Sequence, residues 1–186
     1  MKINNVNQKI QQGFSLLELL LVLGTIATLI VGAFIVYPKI HVAQLADTES
    51  KNIATIQAGI KSLYSASATY MRLTNSAANK AGLFPSNMIK IAGAGTNIVN
   101  TRKGYVMLAP ADTSPSVSMG SAFTITYTGV PAAECSKIIS AVAGNFYLAQ
   151  VGTITVKDVD SNLDIEAMTE ACSNGGNSNI IVLASV

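Results

Sequence analysis

Gly13-Phe14-Ser15-Leu16-Leu17-Glu18 marks an abrupt change in the character of the chain. Before it, residues 1–13 read MKINNVNQKIQQG, polar, with Lys2 and Lys9 and no acid. After it, residues 14–36 are almost entirely apolar and interrupted by one charge, Glu18. As a helix over residues 14–37 this stretch extends about 36 Å at 1.5 Å per residue, against a hydrocarbon core of about 30 Å. It is long enough to span a membrane with some tilt. A secretory signal has a shorter apolar stretch and an A-x-A-like cleavage site. Here the run is longer and leads into Tyr37-Pro38-Lys39, so the sequence predicts a helix that is kept. Lys2 and Lys9 hold the N-terminus in the cytoplasm by the positive-inside rule and put everything beyond Lys39 on the far side. That side is also where a disulfide can form.

With 186 residues the chain has room for one compact domain plus an appendage. Hydrophobic residues make up 49% and charged ones 12%, too apolar for disorder and too uncharged for an ordinary cytosolic protein. The net charge of +2 comes from scattered bases, and beyond the N-terminus only Arg102 and Lys103 are adjacent. No basic stripe marks a nucleic-acid footprint, and no nucleic-acid partner is expected. The two cysteines, Cys135 and Cys172, have no metal spacing, and His41 is the lone histidine. An oxidising compartment and a single disulfide fit them best. Bridged, they close a loop of about 37 residues, worth about 4 kcal/mol in the chain-entropy model.

Beyond Pro38 an amphipathic pattern resumes, with Leu45, Ile53, Ile56, Ile60, Leu63 and Tyr70 on one stripe. Asp47, Glu49, Lys51, Asn52, Gln57 and Lys61 form the opposite face. One long helix over residues 14–71 is the simplest reading, half in lipid and half against a globular head. His41 reads as an interfacial polar residue without a ligand role. Residues 74–103 read as a long connecting loop with one short helix. Strand-like runs occur at 104–109, 122–128, 146–151, 153–157 and 179–185, bounded by Pro110, Gly129, Gly144 and Gly152. Short helices are predicted over 131–143 and 163–172. Strands around helices give an α+β head. The predicted organisation is residues 1–13, a leader; 14–37, the membrane half of the helix; 38–72, its amphipathic half; and 73–186, the head.

The junction Gly13-Phe14-Ser15-Leu16-Leu17-Glu18 closely resembles the type IV prepilin signature: a glycine before the cut, an apolar first mature residue and a glutamate at the fifth mature position. The resemblance implies that a prepilin peptidase cuts after Gly13 on the cytoplasmic face, leaves the apolar helix attached and N-methylates the new amine of Phe14. A carboxylate at the bilayer centre costs about 2.5 to 3.5 kcal/mol, less near its edge where Glu18 lies. The amine of a neighbouring copy placed against Glu18 offsets that cost and sets the register of each added subunit. Gly24, Thr28 and Gly32 recur every four residues, either as a small-residue stripe for close helix packing or as common membrane-helix residues.

The cysteine pair is similar to the disulfide that encloses the C-terminal region of type IV pilins. The run Phe123 to Cys135 looks like the equivalent region of type IVb major pilins, above all the thin-pilus pilins of conjugation systems and the bundle-forming pilins. In that subgroup the C-terminal strand lies inside the sheet, which suits Ile180-Ile181-Val182-Leu183. Phe14 as first mature residue is commoner in type IVa pilins, and the leader length lies between the two classes. The resemblance implies the type IV pilin fold and a major structural subunit of a type IV pilus, serving adhesion, aggregation or conjugative mating contact. It also implies a homopolymer, the peptidase/N-methyltransferase, an inner-membrane assembly platform with its ATPase and an outer-membrane secretin as partners. The precursor would sit in the bacterial inner membrane with its head periplasmic, and the assembled subunit outside the cell.

No cofactor, metal or catalytic constellation is expected. Asp158-x-Asp160-x-Asn162-x-Asp164 imitates the start of a calcium loop, but Leu163 stands where the loop needs glycine and Thr169 where it closes with glutamate. The alternatives are a type II secretion pseudopilin, which shares this N-terminus, and a minor tip pilin acting as a binding module.

Overall fold

The computed structural model describes residues 15–92, 95–112 and 120–186. The chain divides into two compact units, one ending at Ile40 and one running from His41 to Val186. Helix α1, Leu16–Leu63, contributes to both.

In the first unit leucine, isoleucine and valine occupy every side of the helix, and each side chain described between Leu16 and Ile40 is exposed. A helix apolar all round requires lipid or other helices as its surroundings. Thr25 and Thr28 donate their hydroxyls to the carbonyls of Val22 and Thr25, at 2.8 Å each. Neither therefore presents an unsatisfied donor to an apolar medium. Among the described residues α1 is the one helix long and apolar enough to cross a membrane.

The second unit is an α+β head around a five-stranded antiparallel sheet. Its strands are β3, Val106–Ala111; β4, Ala122–Val130; β5, Leu148–Val151; β6, Ile154–Lys157; and β7, Asn179–Ser185. Their order across the sheet is β3-β4-β7-β5-β6, so the last strand of the chain is the middle one. The inner face alternates as a half-buried sheet must. Phe123, Ile125 and Tyr127 of β4 and Ile181 and Leu183 of β7 are fully buried and meet Ile53, Ile56 and Ile60 of α1 in one core. Helices α3, Ala132–Val142, and α4, Ile165–Asn174, close the other end of that core with Ile138, Ile139 and Met168. Cys135 of α3 and Cys172 of α4 are joined, with Cα atoms 5.8 Å apart.

Several expectations are corrected. Helix α1 stops at Leu63, eight residues short of Met71. A turn at Ser65–Ser67 redirects the chain so that the Tyr70 amide reaches the Gly120 carbonyl at 2.7 Å and its ring meets Phe123, centroids 4.9 Å apart. Leu63 is consequently 47% exposed rather than part of the buried stripe. Residues 74–103 are more than a loop: helix α2, Asn75–Lys80, capped by Thr74, leads to a single 3-10 turn and then a hairpin of β1, Ile89–Ala92, on β2, Gly95–Ile98. Leu73, Ala78, Phe84, Met88 and Ile98 anchor this segment in the core, at spacings too irregular to announce an element. Pro110 lies inside β3 instead of ending it, tolerated because β3 is an edge strand and needs no inward donor there. Strand β5 begins two residues late, at Leu148, because a 3-10 turn over Ala143–Asn145 first turns Phe146 into the core.

Candidate functional site: the helix and its clasp

Gly13 and Phe14, the expected cut and methylation positions, lie outside the described residues. Glu18 stands in the first turn of α1, where the unpaired amides of a helix start favour a negative charge. It is exposed, as are Gly24, Thr28 and Gly32. A methyl group built on either glycine meets nothing within 4 Å, so no contact within one copy requires them to be glycine. The apolar half of the helix thus holds Glu18, Gly24, Thr28 and Gly32 on a surface left exposed among the described residues.

The head half behaves differently, and here three residues depart from the sequence-based expectation. Glu49, Asn52 and Gln57, assigned to the solvent face of α1, are 2%, 6% and 8% exposed. Gln57 donates to the Asn145 carbonyl at 2.7 Å and to the Ser185 hydroxyl at 2.9 Å, tying α1 to the end of β7. Glu49 accepts from the Thr101 amide at 2.6 Å. The apolar stripe could not have shown this, because the partners come from distant segments, Thr101 for Glu49 and Asn145 and Ser185 for Gln57.

That loop is a clasp. Asn100, 4% exposed, accepts from the amides of Arg102 and Gly104 at 2.9 Å each and donates to the Thr128 carbonyl at 2.8 Å. Gly104 is pressed so closely on β4 that a Cβ would stand 1.7 Å from the Thr128 oxygen, which only glycine allows. Arg102 donates through Nε to Glu134 at 2.8 Å and pairs with the same carboxylate through its terminal nitrogen. Glu134 is 1% exposed and sits beside Cys135. The bond to Glu134 raises the Arg102 pKa further, against the opposing effect of burial. A buried carboxylate left alone is costly, so this one pairing locks the loop to the disulfide-bonded helix.

Two tyrosines titrate abnormally. Burial first, and then the Glu49 carboxylate, hold Tyr127 well above the usual phenol range. Among the described residues its buried hydroxyl has no hydrogen-bond partner. Burial and the Asp112 carboxylate raise Tyr147. In the acidic stretch after β6, Asp164 uses its carboxylate to cap α4, accepting from the Ala167 amide at 2.9 Å.

A long helix, an antiparallel sheet with its last strand central, and a disulfide spanning the C-terminal region together define a fold. The family model described as PilS N terminal matches residues 43–186. The chain belongs to that family. It is a type IV pilin of the b kind, a structural protein and a subunit of a self-assembling pilus. Two solved structures share the pilin's fold. The type IVb pilin of Salmonella typhi is 19% identical, with a TM-score of 0.58 over 74% of this chain and 97% of that one. TcpA, a type IV pilin of the Vibrio cholerae El Tor biotype, is 15% identical, with a TM-score of 0.56 over 77% of this chain and 99% of that one. The pilin matches none of the curated proteins with which it was compared.

Proposed function

We propose that this pilin is the major subunit of a type IV pilus, made as a precursor and polymerised through its N-terminal helix. A prepilin peptidase cuts after Gly13 at the cytoplasmic face and methylates the amine of Phe14. The helix over residues 14–37 then holds the subunit in the inner membrane with the head in the periplasm, the orientation that Lys2 and Lys9 favour. An ATPase-driven platform moves subunits from lipid into the fibre, which leaves through a secretin and serves adhesion, aggregation or mating contact.

The observation that carries this reading is the bare first unit, a helix exposed along its whole described length whose one carboxylate is Glu18. In the fibre, neighbouring helices replace lipid around the apolar surface, and Glu18 of one copy meets the terminal amine of another. Gly24, Thr28 and Gly32 let backbones approach within that bundle. The cysteine-stapled head forms the outside.

The test is co-expression of the full chain with a prepilin peptidase and an assembly system, with shearing and negative-stain microscopy of the product. The expected result is long extracellular fibres in which this chain is the predominant protein. Short periplasmic assemblies would instead make it a pseudopilin, and a trace presence in fibres of another subunit would make it a minor tip pilin.

A further inference from the structure

By composition the edge strand β3 is the least defended part of the sheet. Tyr105 to Ala111 carry no charge, and Tyr105 and Met107 are 56% and 50% exposed. An uncharged edge with such side chains is a template for pairing with another chain, and natural sheets blunt it with lysine, proline or a bulge, or cover it. The opposite edge needs little defence. There β6 is four residues long, α4 packs on it, and its Val156 carbonyl accepts from the Asp164 amide at 2.8 Å.

The edge of β3 is closed by other means. Backbone groups of alternate residues in a strand point to the same side. Those of Val106 and Leu108 point away from β4 and are both engaged by Asn75 of α2. Its Nδ2 donates to the Val106 carbonyl and its Oδ1 accepts from the Leu108 amide, at 2.7 Å each. One residue of a parallel neighbouring strand would offer an N–H and a C=O to the same two groups. Pro110 comes next in the alternation and has no N–H to offer. Ahead of Val106, Val99 bridges Tyr105 and the Gly104 carbonyl accepts from the Asn100 amide at 2.9 Å. The outward side of β3 therefore meets the clasp, then a side-chain amide, then a proline. Helix α2 itself does not need Asn75 as a cap, since the Thr74 hydroxyl accepts from the Ala77 amide at 3.1 Å.

We infer that Asn75 guards the β3 edge against a second copy of this chain, its carboxamide filling the place that a strand of that copy would take, with Pro110 guarding the end of the same edge. The inference rests on the head alone and goes beyond the pilus reading. Taken together with that reading, it keeps subunits that share a membrane from joining sheet to sheet before their helices bring them into register.

The test uses the full chain extracted in detergent, unassembled, so that its outcome does not depend on fibres. Wild type, Asn75→Ala and Asn75→Ala/Pro110→Val are compared by light scattering over a range of concentrations, with deuterium exchange read on the peptide spanning residues 104–112. In dilute solution the variants are expected to exchange that peptide about ten-fold faster than wild type, because the Leu108 amide has lost its acceptor. On concentration they should shift to twice the wild-type mass, the double variant at lower concentration than the single, and the peptide should regain its protection. A merely local loosening would speed exchange equally at every concentration. Folded variants that keep the wild-type mass throughout, or whose exchange ignores concentration, overturn the inference. Asn75→Ser, a residue suited to a helix start whose hydroxyl is too short to engage both groups, repeats the test if the alanine variant does not fold. Failure of both to fold also overturns it, since Asn75 would then hold the head together rather than guard its edge.

Discussion

Helix α1 is one continuous element with two unlike halves. Between Leu16 and Ile40 its described side chains are all exposed, while from Ala46 to Ile60 a stripe of four apolar residues is buried, together with Glu49, Asn52 and Gln57. The head half is stabilised by its own chain. Among the described residues the apolar half is left exposed, and a helix apolar all round calls for lipid or other helices around it. The difference is a division of labour written into hydrophobic periodicity: a narrow stripe makes a fold, and a helix apolar all round makes an assembly.

Changes that touch only one half sharpen this contrast, and the largest effect is expected at the first. Glu18→Ala should leave leader cleavage, membrane insertion and head stability unchanged while abolishing fibres, measured by microscopy of sheared material beside a mass of the processed subunit. Abundant fibres from that variant would remove the register role. The converse is Phe123→Ala, which empties a fully buried site in the head and should cost about 3 to 5 kcal/mol in denaturant unfolding, with membrane insertion unaffected. Reduction of the Cys135–Cys172 bond should lower head stability by about 4 kcal/mol through the loop it releases. An unchanged unfolding midpoint under reducing conditions would be at odds with that.

Smaller effects probe the clasp. Arg102→Ala leaves the Glu134 carboxylate buried and unpaired, and a loss of about 2 kcal/mol is expected, with faster amide exchange over residues 99–105. Smallest of all at neutral pH is Tyr127→Phe, which deletes a buried hydroxyl without a partner among the described residues and should change stability by less than about 1 kcal/mol. Its signature appears in alkali. The folded-state pKa of Tyr127 lies well above the ordinary phenol value of 10.0, so the unfolded chain loses that proton first. Stability is fully present below pH 10.0 and falls as pH rises beyond it. The phenylalanine variant should lack that part of the decline, and identical alkaline unfolding curves would contradict the assignment.

Much of this was legible in the residues. The apolar run and the α+β class rest on patterns spanning many residues, and such patterns resist local noise; the disulfide followed from two cysteines without metal spacing, and the place of the last strand inside the sheet was implied by the resemblance to type IVb pilins. What escaped was decided by contacts between distant segments. Glu49 and Gln57 look solvent-facing because polar residues usually are; they are buried because Thr101, Asn145 and Ser185 supply partners from elsewhere in the chain. The hairpin β1–β2 was hidden because Ile89-Lys90-Ile91 is too short an alternation to stand out among glycines and asparagines. Glu134 resembled any acid in the first turn of a helix, and only its approach to Arg102 reveals the clasp.

The mass of the subunit in purified fibres tests the central claim most directly. The expected chain begins at Phe14, carries one added methyl group and retains the whole apolar helix. A subunit that still bears the 13 leading residues, or one that has lost the apolar stretch through Tyr37, would contradict the claim.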